Sequence, residues 1–253
     1  MKAEIKPKRG PVLVSMSGAT ATRSKLVCFH FAGGSAQSFF RWRTACPGGI
    51  GFLAAEMPGR GRRFSESFVP SIAEAAEEFA DTLASEDGSP SVFFGHSLGA
   101  IVAYETAALL KKRGHQGPSR LIVSSSPSPG WRSGVVNFPN LTDASLIEYL
   151  RSLDGTPASV MENKVFMQMA LRILRSDLAL LNQYDASQTR IDAPVDVIGG
   201  SSDETAPLES LLAWRQTTAG TFRLFMIDGG HFTLLDQPQV VMGLLPEPEM
   251  VRG

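Results

Sequence analysis

The residues best suited to chemistry form a pentapeptide at 95–99 with the sequence GHSLG, which has the pattern G-x-S-x-G. The apolar run at 91–94 before it is typical of a buried strand, and 100–113 carries small and apolar residues at helical spacing. This strand–turn–helix setting is that of a nucleophile elbow, where only small residues fit two positions before and after the serine. The pattern therefore predicts Ser97 as a catalytic nucleophile; the alternative is a structural turn that leads into a helix.

A base is required next, because a serine hydroxyl is a weak nucleophile at neutral pH. In folds with a nucleophile elbow, the acid and then the histidine come after the serine in the chain, and each follows a strand. His115 and His231 lie downstream of Ser97. His115 lies at a predicted helix end, whereas His231 lies in a glycine loop after a predicted strand, from which an imidazole can turn towards the serine. We therefore predict His231 as the base, with an ordinary loop histidine as the alternative.

The acid is less tightly determined by the pattern. The predicted strand at 120–124 is followed by serines and prolines and not by a nearby carboxylate. The next predicted strand leads into a loop that contains Asp203 and Glu204. Asp203 would orient His231 and stabilise the imidazolium that forms when Ser97 loses its proton. We predict Asp203 as the acid, with Glu204 as the alternative.

The negative charge that develops on the substrate oxygen needs backbone amides already aimed at it. One amide is that of Leu98, the residue after the nucleophile. The other is expected from the loop that follows the apolar strand predicted at 26–31. We predict Ala32 as this donor and Gly33 as the alternative; the glycines of this loop would make a turn in either case.

Strands that alternate with helices must position these groups. The apolar runs predict strands at 12–16, 26–31, 51–57, 91–94, 120–124, 194–198 and 221–227. Helical spacing is found at 36–42, 71–85, 100–113, 142–153, 161–184, 208–217 and 233–245. This alternation favours βαβ units, and hence a doubly wound, mostly parallel α/β sheet. We predict one domain that spans 1–253.

The stretch at about 127–190 contains no convincing strand and is predicted to be a helical lid. It follows the end of a strand, on the side where α/β sheets bind their ligands. In its second amphipathic stretch the predicted apolar face consists of Val165, Phe166, Met169, Ile173, Leu174, Leu178 and Leu181. The candidates for an apolar pocket are Trp131, Phe138, Phe166 and Met169.

Composition excludes several other classes of protein. A formal net charge of −1 over 253 residues argues against a general nucleic-acid binder or a protein of anionic membranes. Two cysteines, Cys28 and Cys46, form no disulfide framework and favour a reducing compartment. The four histidines are too scattered to predict a metal site, and no apolar run is long enough to cross a bilayer. We therefore expect a cytoplasmic protein without metal or cofactor.

Five motifs in this order resemble those of the type II thioesterases, stand-alone α/β-hydrolases that accompany polyketide and nonribosomal peptide synthetases. The motifs are FAGGSA at 31–36, MPGRGRR at 57–63, GHSLGA at 95–100, LRSDLALLNQY at 174–184, and GGSSDE with GGHF at 199–204 and 229–232. The resemblance extends over nearly the whole chain. The PGR and LR-x-D runs distinguish this family from generic esterases.

The resemblance implies hydrolysis of aberrant or stalled acyl groups from the phosphopantetheine thiol of acyl and peptidyl carrier domains. Small acyl thioesters are implied as further substrates. It implies Ser97, Asp203 and His231 as the catalytic triad and Ala32 and Leu98 as the oxyanion donors. The insert at 127–190 corresponds to the family's lid. Phosphopantetheine belongs to the substrate, so no bound cofactor is implied.

Three residues near these motifs need an interpretation of their own. His30 stands where the family often has proline, and we expect it to pack at the end of a strand. Arg60 and Arg63 could attract an acidic carrier domain, stabilise the fold or lie in solvent. We interpret them as solvated.

Other activities are compatible with the same scaffold. A carboxylesterase or lipase also passes through an acyl-serine, and an acyltransferase would pass the acyl group to an acceptor other than water. An inactive scaffold that binds carrier domains is a further alternative. The intact set of Ser97, Asp203 and His231 argues against that last alternative.

Overall fold

The computed structural model describes residues 10–17, 22, 24–85, 88–131, 142–153 and 161–246. Within them, one sheet has the spatial order β1-β3-β2-β4-β5-β6-β7. Its strands are β1 Leu13–Ser15, β2 Ser24–Phe29, β3 Ile50–Ala55, β4 Ser91–His96, β5 Arg120–Ser124, β6 Val195–Gly200 and β7 Phe222–Ile227. All neighbours are parallel except β1, which pairs with β3 antiparallel at one edge. The predicted mostly parallel α/β sheet is confirmed.

The connections between the strands are mainly helical. The α-helices of the described residues are α1 Ile72–Ala84, α2 Leu98–Lys112, α3 Asp143–Ser152, α4 Lys164–Asn182, α5 Leu208–Leu212 and α6 Pro238–Met242. Short 3-10 helices lie at Ala36–Thr44, Gly61–Arg63, Ala213–Thr217 and Thr233–Asp236. Within the same residues, no helix has the length and apolar character that a membrane span requires.

Polar side chains begin three of these helices. The side chain of Ser71 accepts a hydrogen bond from the amide of Glu74. Thr142 and Asn163 cap α3 and α4 in the same way, each by accepting from a backbone N–H of the first turn. These contacts satisfy amides that the helix cannot pair itself, and they set where each helix begins.

Helices cover both faces of the sheet, as a doubly wound fold requires. Helices α1 and α2 pack on one face, where Phe79 and Tyr104 belong to the same buried cluster as strand residues such as Val27. The 3-10 helix at Ala36–Thr44 and helix α6 pack on the other face, where Trp42 belongs to a second cluster. Strands β2 to β6 are consequently buried on both sides, which explains their nearly continuous apolar sequences.

The last predicted helix, at 233–245, is interrupted in the structure. A 3-10 helix at Thr233–Asp236 and α6 are separated by Gln237, whose φ of −123° and ψ of 57° are not helical. The residue before a proline is disfavoured in the α region, and Pro238 is the first residue of α6. Proline therefore divides what apolar periodicity alone presents as one helix.

The insert contains the two predicted amphipathic helices, but only the C-terminal part of the apolar face predicted for α4 is buried, through Leu174 and Leu178. The buried positions of α4 include Met167, Leu171, Leu174 and Leu178, which pack against Leu146 of α3. The exposed large side chains of the same helix are Val165, Phe166 and Met169. The prediction of the N-terminal part of this face was therefore wrong. This part of α4 has apolar residues on two sides, and α3 covers only the side with Met167 and Leu171. Phe138 and parts of the 127–190 insert, at 132–141 and 154–160, lie outside the described residues.

Arg60 and Arg63 of the PGR run are buried, so their interpretation as solvated residues was wrong. Arg60 forms a two-bond ion pair with Asp177 of α4, at 2.6 and 2.7 Å. Arg63 bonds the carboxylates of Glu66 and Glu78. Because both guanidinium groups are almost inaccessible to solvent, they cannot present their charge to a partner.

His30 packs at the end of β2, as the sequence predicts. Its ring is buried, and Nδ1 donates to the carbonyl oxygen of Phe31 at 3.0 Å. Burial lowers the pKa of His30 to about 4, and the nearby Arg60 cation acts in the same direction. The ring is therefore neutral at physiological pH.

We predict that Gly99→Ala strongly destabilises the protein. A Cβ at this position would lie 2.1 Å from the carbonyl oxygen of Phe29, so β2 and α2 would have to separate. The free energy of unfolding should fall by roughly 3 kcal/mol or more, the upper end of what overpacking costs. The matched control is Gly48→Ala, whose Cβ meets nothing within 4 Å. Equal urea midpoints for the two variants would show that this close approach is not needed.

We predict that His30→Leu reduces the pH dependence of stability. The unfolded imidazole takes up a proton near pH 6.5 and the folded one only near 4, so the wild type loses stability as the pH falls through this window. Between pH 7 and 4.5 this contribution is on the order of 2 to 3 kcal/mol. Urea unfolding at both pH values measures it. The exposed His115 provides the control variant His115→Gln, and a loss as large as that of the wild type in His30→Leu would contradict the prediction.

Candidate active site

The predicted nucleophile lies on a strained turn between β4 and α2. Ser97 has φ 54° and ψ −120°, a conformation that is unfavourable for a residue with a side chain. Its amide donates to the carbonyl oxygen of Ser124 at the end of β5, at 2.9 Å. A Cβ at Gly95 would meet the carbonyl oxygen of Gly99 at 2.3 Å, which explains why glycine stands there. The strand–turn–helix geometry of a nucleophile elbow is therefore present.

The predicted acid and base are in contact. Asp203 follows β6 and His231 follows β7, so parallel neighbouring strands bring both residues to the same edge of the sheet. Oδ2 of Asp203 lies 2.9 Å from Nδ1 of His231, and both side chains are buried. Glu204 is exposed and makes no such contact, so the geometry favours Asp203 over the alternative.

The charge state of Asp203 determines the tautomer of His231. Burial raises the pKa of Asp203, but the hydrogen bond and charge of His231 and the hydroxyls of Thr205 and Ser125 outweigh burial and lower it to about 2. An ionised carboxylate can only accept hydrogen bonds, so Nδ1 of His231 carries the hydrogen. In the neutral ring Nε2 is then unprotonated and able to accept a proton.

Thr205 and Ser125 are site residues that sequence reasoning missed. The Thr205 hydroxyl donates to Oδ1 of Asp203 at 2.6 Å and lies 2.9 Å from Nδ1 of His231. Its amide also donates to Oδ1, at 3.0 Å. Ser125 follows β5 with φ 49° and also hydrogen-bonds the carboxylate. The sequence gives only a weak indication of these two roles, because serine and threonine are common in loops near a predicted acid.

Each of the two predicted oxyanion donors lines a cavity that Ser97 also lines. Leu98 is the first residue of α2, where backbone amides have no partner within the helix. Ala32 and Gly33 line the same cavity as Ser97 and His231. The amide of Gly33 already donates to Oδ2 of Asp177 at 2.8 Å. Of the two loop residues, Ala32 is therefore the one whose amide is available to a ligand.

Two cavities meet at the nucleophile. The first, of about 510 Å³, extends between the 31–33 loop, α3, α4 and the segment after His231. The second, of about 360 Å³, lies between α2, the segment at 125–131 and the end of α4. Both are lined by Ser97, Tyr149 and His231. The site therefore has room on two sides of the serine hydroxyl.

The apolar residues predicted for a pocket are distributed between these cavities. Phe166 lines the first cavity and Trp131 lines the second. Among the described residues, Met169 lines neither cavity. Tyr149 of α3, which lines both, was not predicted. Burial raises the pKa of Tyr149 to about 12, so its hydroxyl is a neutral donor at physiological pH.

His96 forms an aromatic support beneath the base. Its buried ring lies 5.0 Å from the ring of His231, centroid to centroid, and it also packs against Phe31 and Phe232. Burial lowers the pKa of His96 well below its usual value, and the neighbouring His231 acts in the same direction. His96 therefore stays neutral and restricts the movement of His231 without adding charge. Among the described residues, no three His, Cys, Asp or Glu side chains are grouped as metal ligands.

Comparison with known proteins shows the family. Residues 24–246 match the thioesterase-domain family model. Thioesterase PikA5 of Streptomyces venezuelae is 35% identical over 215 residues, which cover 84% of this chain and 76% of that protein.

Solved structures agree with this assignment. The type II thioesterase BorB from the borrelidin biosynthetic cluster superposes with a TM-score of 0.83 at 30% identity, covering 94% of this chain and 97% of BorB. YbtT, a type II thioesterase from the yersiniabactin NRPS/PKS pathway, superposes with a TM-score of 0.82 at 29% identity, covering 92% and 96%. The chain therefore belongs to the thioesterase family of α/β-hydrolases, as a type II editing thioesterase of polyketide and nonribosomal peptide biosynthesis.

Proposed function

We propose that the enzyme hydrolyses acyl thioesters carried on the phosphopantetheine arm of acyl and peptidyl carrier domains, with Ser97 as nucleophile. The observation that carries this proposal is the Asp203–His231 contact at 2.9 Å beside a strained serine, at the point where two cavities meet. The relatives from polyketide and nonribosomal peptide pathways support the choice of carrier-bound substrates.

The geometry supports a two-step acyl transfer. Oγ of Ser97 attacks the thioester carbonyl carbon while Nε2 of His231 takes its proton, and Asp203 stabilises the imidazolium that results. The amides of Ala32 and Leu98 donate to the oxyanion of the tetrahedral intermediate. The carbon–sulfur bond then breaks, and the sulfur leaves as the thiol with the proton from His231.

Water completes the cycle. His231 removes a proton from a water molecule, whose oxygen attacks the acyl-serine carbonyl. The second tetrahedral intermediate collapses to the free acid, and Ser97 recovers its proton. The products are the carboxylic acid and the free pantetheine thiol, so no redox partner or metal is needed to balance the reaction.

The two cavities suit a substrate with long arms on both sides of the bond that breaks. In a carrier-bound thioester, the acyl chain extends from one side of the carbonyl group and the pantetheine arm from the other. Cavities of about 510 and 360 Å³ that both reach Ser97 provide one space for each arm. A simple ester with a small alcohol would leave one of them unused.

The insert at 127–190 is proposed to act as a lid within a single domain of residues 1–253. Helices α3 and α4 supply one side of the larger cavity through Tyr149, Leu150, Phe166 and Met167. The insert forms a wall between the acyl-serine and bulk solvent. This wall favours binding of the acyl chain and limits the access of water to the site. We further propose a cytoplasmic location, which is consistent with the unpaired thiols of Cys28 and Cys46.

We predict a preference for the carrier-bound form of one acyl group presented in three ways: on a holo carrier protein, on coenzyme A, and as a p-nitrophenyl ester. The kcat/KM for the carrier thioester should exceed that for the coenzyme A thioester by roughly tenfold or more. Ser97→Ala is the blank and should hydrolyse none of them. Fast ester cleavage without any gain from the carrier would indicate a carboxylesterase, and acyl transfer to an added alcohol or amine in place of water would indicate an acyltransferase.

Asp203→Asn should lower kcat by roughly 100-fold or more, because the amide cannot stabilise the imidazolium and can hold the wrong tautomer. The matched control is Glu204→Gln, which changes an exposed neighbour of the same type and should leave kcat unchanged. Steady-state hydrolysis, normalised to the sites labelled by a fluorophosphonate probe, measures both. If Glu204→Gln were inactive and Asp203→Asn active, Asp203 would not be the acid.

A further inference from the structure

The loop that presents Ala32 is a tight turn at 31–34. The amide of Gly34 donates to the carbonyl oxygen of Phe31 at 3.0 Å, which closes the turn. Gly33 has φ +81°, whereas Ala32 has no positive φ. This combination defines a type II turn, in which the third position needs a positive φ and favours glycine. The orientation of each peptide group in such a turn depends on what holds it from outside.

Two buried side chains hold the second half of the turn. Oδ2 of Asp177, on α4, accepts from the amide of Gly33 at 2.8 Å. Nη1 of Arg60 donates to the carbonyl oxygen of Gly34 at 3.2 Å and to Oδ2 of Asp177 at 2.6 Å. The peptide groups Ala32–Gly33 and Gly34–Ser35 are thus attached to one ion pair.

His30 holds the peptide group that carries the proposed oxyanion donor. A carbonyl oxygen can only accept, so Nδ1 of His30 donates to Phe31 C=O, over 3.0 Å. The amide of Ala32 belongs to the same peptide group and points away from that carbonyl, because the peptide is planar and trans. With the carbonyl held towards His30 and Gly34, the amide of Ala32 is turned to the opposite side. Ala32 lines the cavity that also contains Ser97.

The burial of these groups indicates a role beyond net stability. Asp177 is 0% exposed, Arg60 1% and His30 2%. A buried ion pair contributes little net stability compared with apolar residues of similar size, because both charges lose their water. It does hold its partners in one geometry, and two parallel bonds between guanidinium and carboxylate do so with little freedom.

We propose that His30, Arg60 and Asp177 are positioning residues that hold three peptide groups in the 31–34 turn and at its exit, and thereby aim the amide of Ala32 at the oxyanion. The inference depends on the proposed function, since it assumes an oxyanion formed at Ser97. It gives His30, which stands where the family often has proline, a contact that proline cannot make. A misplaced oxyanion donor reduces the stabilisation of the transition state far more than the binding of the substrate.

Asp177→Asn tests the ion pair. Oδ2 of Asp177 accepts from both Gly33 and Nη1 of Arg60, and Oδ1 accepts from Nη2 of Arg60. In asparagine one of these oxygens becomes an NH₂ group that faces a donor, so at least one bond to Arg60 and the charge of the pair are lost. We expect kcat for a p-nitrophenyl ester to fall on the order of tenfold with little change in KM. The affinity for an alkylboronic acid, which forms a tetrahedral adduct with Ser97, should fall by the same factor. Titration with a fluorophosphonate probe corrects for any unfolded fraction.

The matched control is Asp196→Asn. Asp196 is also a buried carboxylate, paired with Arg120 and Arg223, but it lies in β6 away from the turn. We expect this variant to lose thermal stability while keeping kcat and boronate affinity within about twofold. A merely structural role for Asp177 predicts the same behaviour in both variants, and that result would overturn the proposal.

His30 offers a second test that does not remove a charge. His30→Leu removes the donor to Phe31 C=O and should lower kcat and boronate affinity together. His30→Asn places an amide NH₂ near the position of Nδ1 and should restore most of both. Equal kcat values for the two variants, or a fall in kcat without a fall in boronate affinity, would contradict the proposal. Hydrolysis by Ser97→Ala would instead contradict the proposed function, so the two failures are distinguishable.

Discussion

The close approach of the first turn of α2 to the end of β2 is the constraint on which the site depends. Backbone meets backbone there, since a Cβ at Gly99 would lie 2.1 Å from the carbonyl oxygen of Phe29 and 2.6 Å from that of His30. The nucleophile turn therefore rests directly on the chain that leads into the oxyanion loop. This contact fixes the first turn of α2, which follows Ser97, against the end of β2, and the packing around Ser97 holds its strained backbone.

The charges of the site are arranged so that few of them are left without a partner. Asp203 is ionised and surrounded by donors, Asp177 is neutralised by Arg60, and the buried rings of His30 and His96 are neutral. In the proposed reaction, the new negative charge on the substrate meets backbone amides that are already fixed in place. That is the condition under which oxyanion stabilisation is most effective.

The insert contributes to the site in two ways. One side of α4 lines the larger cavity through Met167 and Leu174, and the same helix supplies Asp177 to the oxyanion loop. Helix α3 supplies Tyr149, which reaches both cavities. The helix that lines the larger cavity is thus hydrogen-bonded to the loop proposed to stabilise the transition state.

The sequence by itself determined the mostly parallel sheet, the strand–turn–helix of the nucleophile elbow and the placement of Asp203 and His231 after neighbouring strands. All three follow from local patterns. Strands that are buried on both faces have apolar sequences, and a nucleophile elbow requires glycines near its serine. Asp203 and His231 follow neighbouring parallel strands, so both lie at the same edge of the sheet. Only the tertiary structure decided which face of α4 is buried and that Arg60 pairs with Asp177, 117 residues away. Periodicity shows that a helix is amphipathic but not which neighbour covers it. Likewise, whether an arginine is solvated or buried depends on a distant partner that no local pattern specifies.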